Sequence, residues 1–119
     1  VSRLLDRHAP YALPLVVGRL ADTVTTLYGL RIAGIYERNA VVAALMEDLG
    51  RTEGMLVANV ISIAIVLLTV EIGVALVASD DGPGELQLSE RVVVEVGYLP
   101  AIGLSFAAAT YNVGVIAMA

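Results

Sequence analysis

The stretch that most limits how this chain folds is residues 11 to 36, YALPLVVGRLADTVTTLYGLRIAGIY, in which Arg19, Asp22 and Arg31 sit inside an apolar frame. At ~1.5 Å per residue a helix here reaches roughly 37 Å, enough to cross a ~30 Å hydrocarbon core with Tyr11 and Tyr36 at the two interfaces. An Arg or Asp near the middle of such a helix costs ~2.5–3.5 kcal/mol, and each Leu, Ile or Val returns only ~0.3–0.6 kcal/mol. The aliphatic residues from Leu13 to Ile35 therefore do little more than cancel Arg19 and Asp22. Arg31 lies nearer an end, where its stem can snorkel to the headgroups. A helix so finely balanced is expected to face protein on its polar side.

That side is marked twice. Ala21, Thr25, Gly29 and Ala33 recur every four residues, a small-xxx-small seam that admits a close helix neighbour, and Arg19, Asp22 and Thr26 lie beside it. Downstream, Gly97, Ala101, Ser105 and Ala109 repeat the device.

The remaining chain reads as an all-α integral membrane domain of three transmembrane helices and one short amphipathic helix. The spans are placed at 11–36, 55–78 and 91–118, the amphipathic helix at 40–49, and an acidic loop, SDDGPGELQLSE, at 79–90. Pro10 and Pro14 suit the first turn of the first span, where a missing N–H is harmless. Asn39 is placed to cap the amphipathic helix, whose Val41, Val42, Leu45 and Leu49 fall at helical spacing, and Gly50 to end it. Pro100 frees the carbonyl of Val96 near the entry of the third span. The arginines divide too evenly to fix sidedness. Residues 1 to 10 carry charge and precede a segment longer than a signal peptide's apolar region, so the first helix is expected to stay in place.

Composition excludes several functions. At 58% hydrophobic and a mean hydropathy of +0.83, 119 residues are too apolar for an ordinary soluble domain, and the cell membrane is the expected location. Cysteine is absent, which removes disulfides, thiolate metal sites and Cys nucleophiles. His8 is the only histidine, read as an exposed residue ahead of the membrane, so neither a metal site nor a His-based triad is expected, and no cofactor. All seven basic residues are Arg against twelve acids, a net charge of −5. Lys-free, acid-rich composition fits a high-GC, halophile-like source, and its sign argues against nucleic acid as a partner.

If the three spans run up, down and up, residue x of the first lies level with 89 − x in the second and with about x + 82 in the third. This sets Arg19 beside Glu71 and Asp22 near Ser105, a charged layer of Arg19, Asp22, Glu71 and Ser105 as the ligand or ion candidates, and Arg31 near Asn59 and Asn112. An unpaired intramembrane acid raises its pKa or takes a counter-ion, so this layer reads either as a proton, cation or cationic-ligand site or as helix glue. Asp22 and Glu37 are fifteen residues apart, ~22 Å along one helix, and cannot share a substrate or metal unless that helix breaks.

D-T-V-T-T at 22–26 followed by E-R-N at 37–39 resembles an uncharacterised family of small prokaryotic, haloarchaeal-like multi-pass membrane proteins. Its members carry an Asp and a Thr pair in the first transmembrane helix and Glu-x-Asn-Pro just after it. Asp22, Thr25, Thr26, Glu37 and Asn39 match, and Ala40 stands where the Pro falls. The resemblance implies a membrane fold and nominates these residues without implying an activity.

With no nucleophile–base pair, metal-ligand cluster or phosphate loop, the leading expectation is a non-enzymatic protein that works as a homo-oligomer or an accessory subunit of a larger membrane complex. The alternative is oligomeric proton- or cation-linked transport through Asp22 and Glu71.

Overall fold

Four helices make up the described part of the chain, residues 2–78 and 89–119 of a computed structural model, and no strand occurs among those residues. They are α1 (Ser2–Gly29), α2 (Ala40–Leu49), α3 (Arg51–Ala78) and α4 (Glu90–Met118). Of the acidic loop, residues 79–88 lie outside the described part. Its last two residues start α4, Ser89 as N-cap, its Oγ accepting the Val92 N–H at 3.2 Å, and Glu90 as the first helical residue.

The first span is the one whose limits differ most from expectation. The helix starts at Ser2, not 11, and stops at Gly29, not 36. Pro10 and Pro14 therefore stand inside it rather than in its first turn. A proline there forfeits one backbone bond and strains the turn before it, at ~3 kcal/mol. What holds the early turns helical is tertiary: Arg7 and His8 reach across to the other two long helices.

At the other end the α-helical ladder closes with Leu30 N–H to Thr26 O at 2.9 Å. Tighter bonds follow, Arg31 to Tyr28 at 3.2 Å and Ile32 to Gly29 at 3.0 Å. The orphan carbonyl of Leu30 is capped by Arg51 Nη1 at 3.1 Å, and the chain turns at Gly34 with φ +90°.

The amphipathic helix has the expected limits and caps. Asn39 Oδ1 accepts the N–H groups of Val41 and Val42 at 3.0 and 3.2 Å, and Gly50, at φ +98°, donates to Met46 O at 2.8 Å. Only that glycine separates α2 from α3, which begins at Arg51 rather than 55. The two helices cross so closely at Gly54 that a Cβ there would sit 2.6 Å from Met46 N.

In the bundle, α1 runs parallel to α4 and antiparallel to α3. Residue x of α1 lies level with 78 − x in α3, as in Arg7 with Glu71 and Arg19 with Asn59. That is eleven residues, about three helical turns, from the expected register. Against α4 the offset is 87 residues, as Gly18 with Ser105 and Gly29 with Ile116. The shift follows from the early start of α1.

The core is narrow: Leu15, Val70, Val74, Val94 and Tyr98. The outer face is apolar, with Leu13 on α1, Ile61, Ile65, Leu68 and Ile72 on α3 and Leu99 and Leu104 on α4 all exposed. Two helices, α3 and α4, are long and apolar enough to cross a membrane, and only 11% and 22% of their most apolar windows are buried inside the bundle. The core helix of a soluble protein is mostly buried, which these are not. Taken alone α1 does not reach that threshold, so three spans are not met helix by helix. Its actual frame brings in Asp6 and Arg7 and leaves Ile32 and Ile35 outside.

Candidate functional site

Two polar layers cross the bundle, separated by Leu15 and the apolar side chains packed near it. The first lies midway along α1, where positions 19, 22, 23 and 26 share one side. Arg19 donates from Nε and Nη2 to Asn59 Oδ1 on α3 at 3.0 and 2.7 Å. Asn59 Nδ2 donates to Thr23 Oγ1 at 2.6 Å, and Thr23 donates to the Arg19 carbonyl at 2.8 Å, closing a ring of bonds around two buried side chains. Held this way, Arg19 meets Asp22 only at 3.4 Å, Nη1 to Oδ2.

The other oxygen of Asp22 faces α4. Asn112 Nδ2 donates to Asp22 Oδ1 at 2.8 Å and lies 3.0 and 2.9 Å from the hydroxyls of Thr25 and Thr26. Thr26 donates to the same carboxylate oxygen at 3.3 Å, and Thr25 to the Ala21 carbonyl at 2.8 Å. Every buried polar side-chain atom among the described residues has a partner.

The second layer lies near the start of α1. Glu71 receives Arg7 Nη1 on both oxygens, at 2.8 and 3.0 Å, and His8 Nε2 on Oε1. The other His8 nitrogen meets the Tyr98 hydroxyl, whose ring is fully buried and stacks on Tyr11 at 5.6 Å. Arg7 Nε also donates to Glu90 at 2.6 Å, and Glu95 pairs with Arg91 at 3.0 Å.

The expected single layer of Arg19, Asp22, Glu71 and Ser105 is thus divided. Arg19 and Asp22 stay together. Glu71 lies three turns away with Arg7 and His8, so an Arg19–Glu71 pair does not form. Ser105 is buried against Gly18 and donates to the Ala101 carbonyl at 2.8 Å. Arg31 is exposed beyond the helix end, and the two asparagines expected near it serve Arg19 and Asp22 instead.

His8 is half-buried rather than an exposed leader. Sequence reasoning missed it, together with Arg7 and Tyr98, because the span was started at Tyr11. The signal available was Glu71 itself, an acid inside an apolar helix that needed a cation.

The small-residue seams are largely spent within the chain. Thr25 and Gly29 of α1 meet Asn112 and Ile116 of α4. Ser105 and Ala109 are buried, and Gly97 faces Val70 so closely that a Cβ would overlap it. Ala101 is half-buried and Ala21 likewise, whereas Ala33 is exposed past the end of α1.

The break after Gly29 has a chemical result. A cavity of about 490 Å³ opens between the last three turns of α1, the turn that follows, the start of α2 and the face of α4 carrying Ala108, Tyr111, Asn112 and Val115. Its walls include Asp22, Thr25, Thr26, Glu37 and Asn39, every one of the residues shared with the family-like motif. The distance that separates Asp22 from Glu37 on a continuous helix does not apply, because the helix ends between them. Part of the motif is also structural: Glu37 Oε1 accepts the Asn39 N–H at 3.0 Å while Asn39 caps α2. No group of three or more His, Cys, Asp or Glu arranged to hold a metal occurs among the described residues.

Comparison with protein-family models, with curated proteins and with solved structures finds no match to this chain. Its functional reading therefore rests on geometry.

Proposed function

We propose that this chain is a small, non-enzymatic, multi-pass protein of the cell membrane that binds a small ligand in the cavity at the broken end of α1. The observation that carries the reading is the convergence of Asp22, Thr25, Thr26, Glu37 and Asn39 on one cavity whose volume falls in the range of small-molecule sites, ~300–1,000 Å³. All three long helices cross the bilayer in this reading. Arg19 and Asp22 are tolerated there because Asn59 and Asn112, on the two apolar helices, satisfy them. The protein acts as a homo-oligomer or as a subunit of a larger membrane complex, in the manner of a ligand-bearing accessory chain.

Transport is the weaker reading. Leu15 with Ile63, Val66, Leu67, Ala101 and Ile102 packed near it fills the bundle between the two polar layers, and Glu71 is already engaged by Arg7 and His8. A pathway would need several chains and would keep only Asp22.

Native mass spectrometry of the protein extracted gently from its membranes tests the proposal. The expected result is a species carrying a retained small molecule, lost when Val115→Phe fills the cavity. A mass that is the same with and without the substitution, with nothing bound, refutes binding. The same spectrum reads copy number and partner, and a bare monomer refutes the assembly.

A further inference from the structure

We propose that the cavity takes a primary organic ammonium, held at its deep end by the Asp22 carboxylate and at its mouth by Glu37. This rests on the binding role above and names the chemical class of the ligand.

The hydrogen-bond inventory of the walls points to it. Around Asp22 the donors are spent on the protein itself, whereas Tyr36, Arg38 and Tyr111 elsewhere on the wall keep hydrogens. Arg19 commits Nε and Nη2 to Asn59, Thr25 donates to Ala21 O, Thr26 to Asp22 Oδ1, and the Asn112 amide hydrogens are shared among four oxygens of α1. On the two carboxylates what remains is lone pairs. Asp22 Oδ2 has one described partner, Arg19 at 3.4 Å, and Glu37 uses Oε1 for the Asn39 N–H while Oε2 takes no hydrogen bond among the described residues. A site with committed donors and spare acceptors selects a ligand that brings hydrogens.

Charge narrows the class. Asn59 takes Nε and Nη2 of Arg19, so the guanidinium pairs with Asp22 through Nη1 alone, at 3.4 Å, and leaves Oδ2 room for a second donor. An ammonium brings three donors, and its bonds to a carboxylate are roughly twice as strong as neutral ones. An organic body is indicated by the space between the two acids, which is lined by Gly29, Ile35, Met55 and Ile116. Tyr36 and Tyr111, both exposed, also line the cavity. Arg38 is exposed and touches Tyr111 only at 3.5 Å, so it yields its place readily.

The test uses the intact chain in lipid nanodiscs, titrated with butylammonium, butanol and butyrate, with the thermal unfolding midpoint read at each concentration. Butylammonium is expected to raise the midpoint saturably and the other two to leave it unchanged. Asp22→Asn is expected to weaken half-saturation about tenfold or more, and Glu37→Gln, which lies outside the bundle helices, by a smaller factor. Saturable stabilisation by butyrate or butanol in preference to butylammonium, or undiminished butylammonium affinity in both amide variants, overturns the ammonium assignment. If such binding is nonetheless lost in Val115→Phe, the cavity is a ligand site of another class. If no probe responds to Val115→Phe, the binding role falls with it.

Discussion

Asn59 is the residue on which the middle layer turns. It accepts twice from Arg19 and donates once to Thr23, so a single buried amide sets where the only guanidinium in that layer points. Replacing it removes acceptor and donor together. Asn59→Leu is expected to cost about 1–3 kcal/mol, the range for stranding buried polar partners, measured by reversible unfolding in mixed detergent micelles. It should also let Arg19 fall onto Asp22, so butylammonium binding weakens although the carboxylate is untouched. A variant with full stability and full binding would show that Asn59 only replaces other partners within the bilayer, where such bonds average ~0.6 kcal/mol. Glu71 is the corresponding residue of the other layer. With Arg7 and His8 both upon it, it ties the start of α1 to α3 across two prolines.

Among the elements, α2 decides the shape of the cavity. Ten residues are too few to span a bilayer, and the helix stays in place through its caps and its crossing with α3 at Gly54. A side chain at 54 meets the backbone of Leu45 and Met46, which cannot yield as a flexible side chain would. Gly54→Val is expected to undock α2, with faster amide hydrogen exchange over residues 40–49 and a loss of about 1–3 kcal/mol from overpacking. Because Glu37 and Asn39 sit at the entry of α2, the same change should weaken ligand binding. Unchanged exchange over those residues would mean that the corner at Gly50 holds α2 without the crossing.

For the whole molecule, the proposed crossing of α1 alongside α3 and α4 makes a topological prediction. Helix α1 packs mainly along α4, parallel to it, and meets the antiparallel α3 at Glu71 and Asn59, and its outer face carries Leu13, Val17, Leu20 and Val24 exposed. The absence of cysteine makes a direct measurement simple. Asp6→Cys and Arg38→Cys, made singly, are expected to react with a membrane-impermeant thiol reagent from opposite faces of sealed vesicles. Reaction of both from one face would place α1 on the surface of a two-span protein and leave its apolar face for another chain.

Local pattern determined most of the elements. The cap at Asn39, the stop at Gly50 and the limits of α4 to within one residue follow from propensity, periodicity and capping, which act over a single turn. The residues now lining the cavity were also visible, as the Asp22, Thr25, Thr26, Glu37 and Asn39 pattern. What the tertiary structure decided was the start and end of α1, the register between helices and the partner of each charge. Apolar periodicity repeats every turn, so sliding one helix past another by three turns preserves its apolar face. Only the discrete polar bonds distinguish one register from the next. Glu71 had Arg19 on one register and Arg7 with His8 on another, and only the packed bundle, where Asn59 takes Arg19, selects between them.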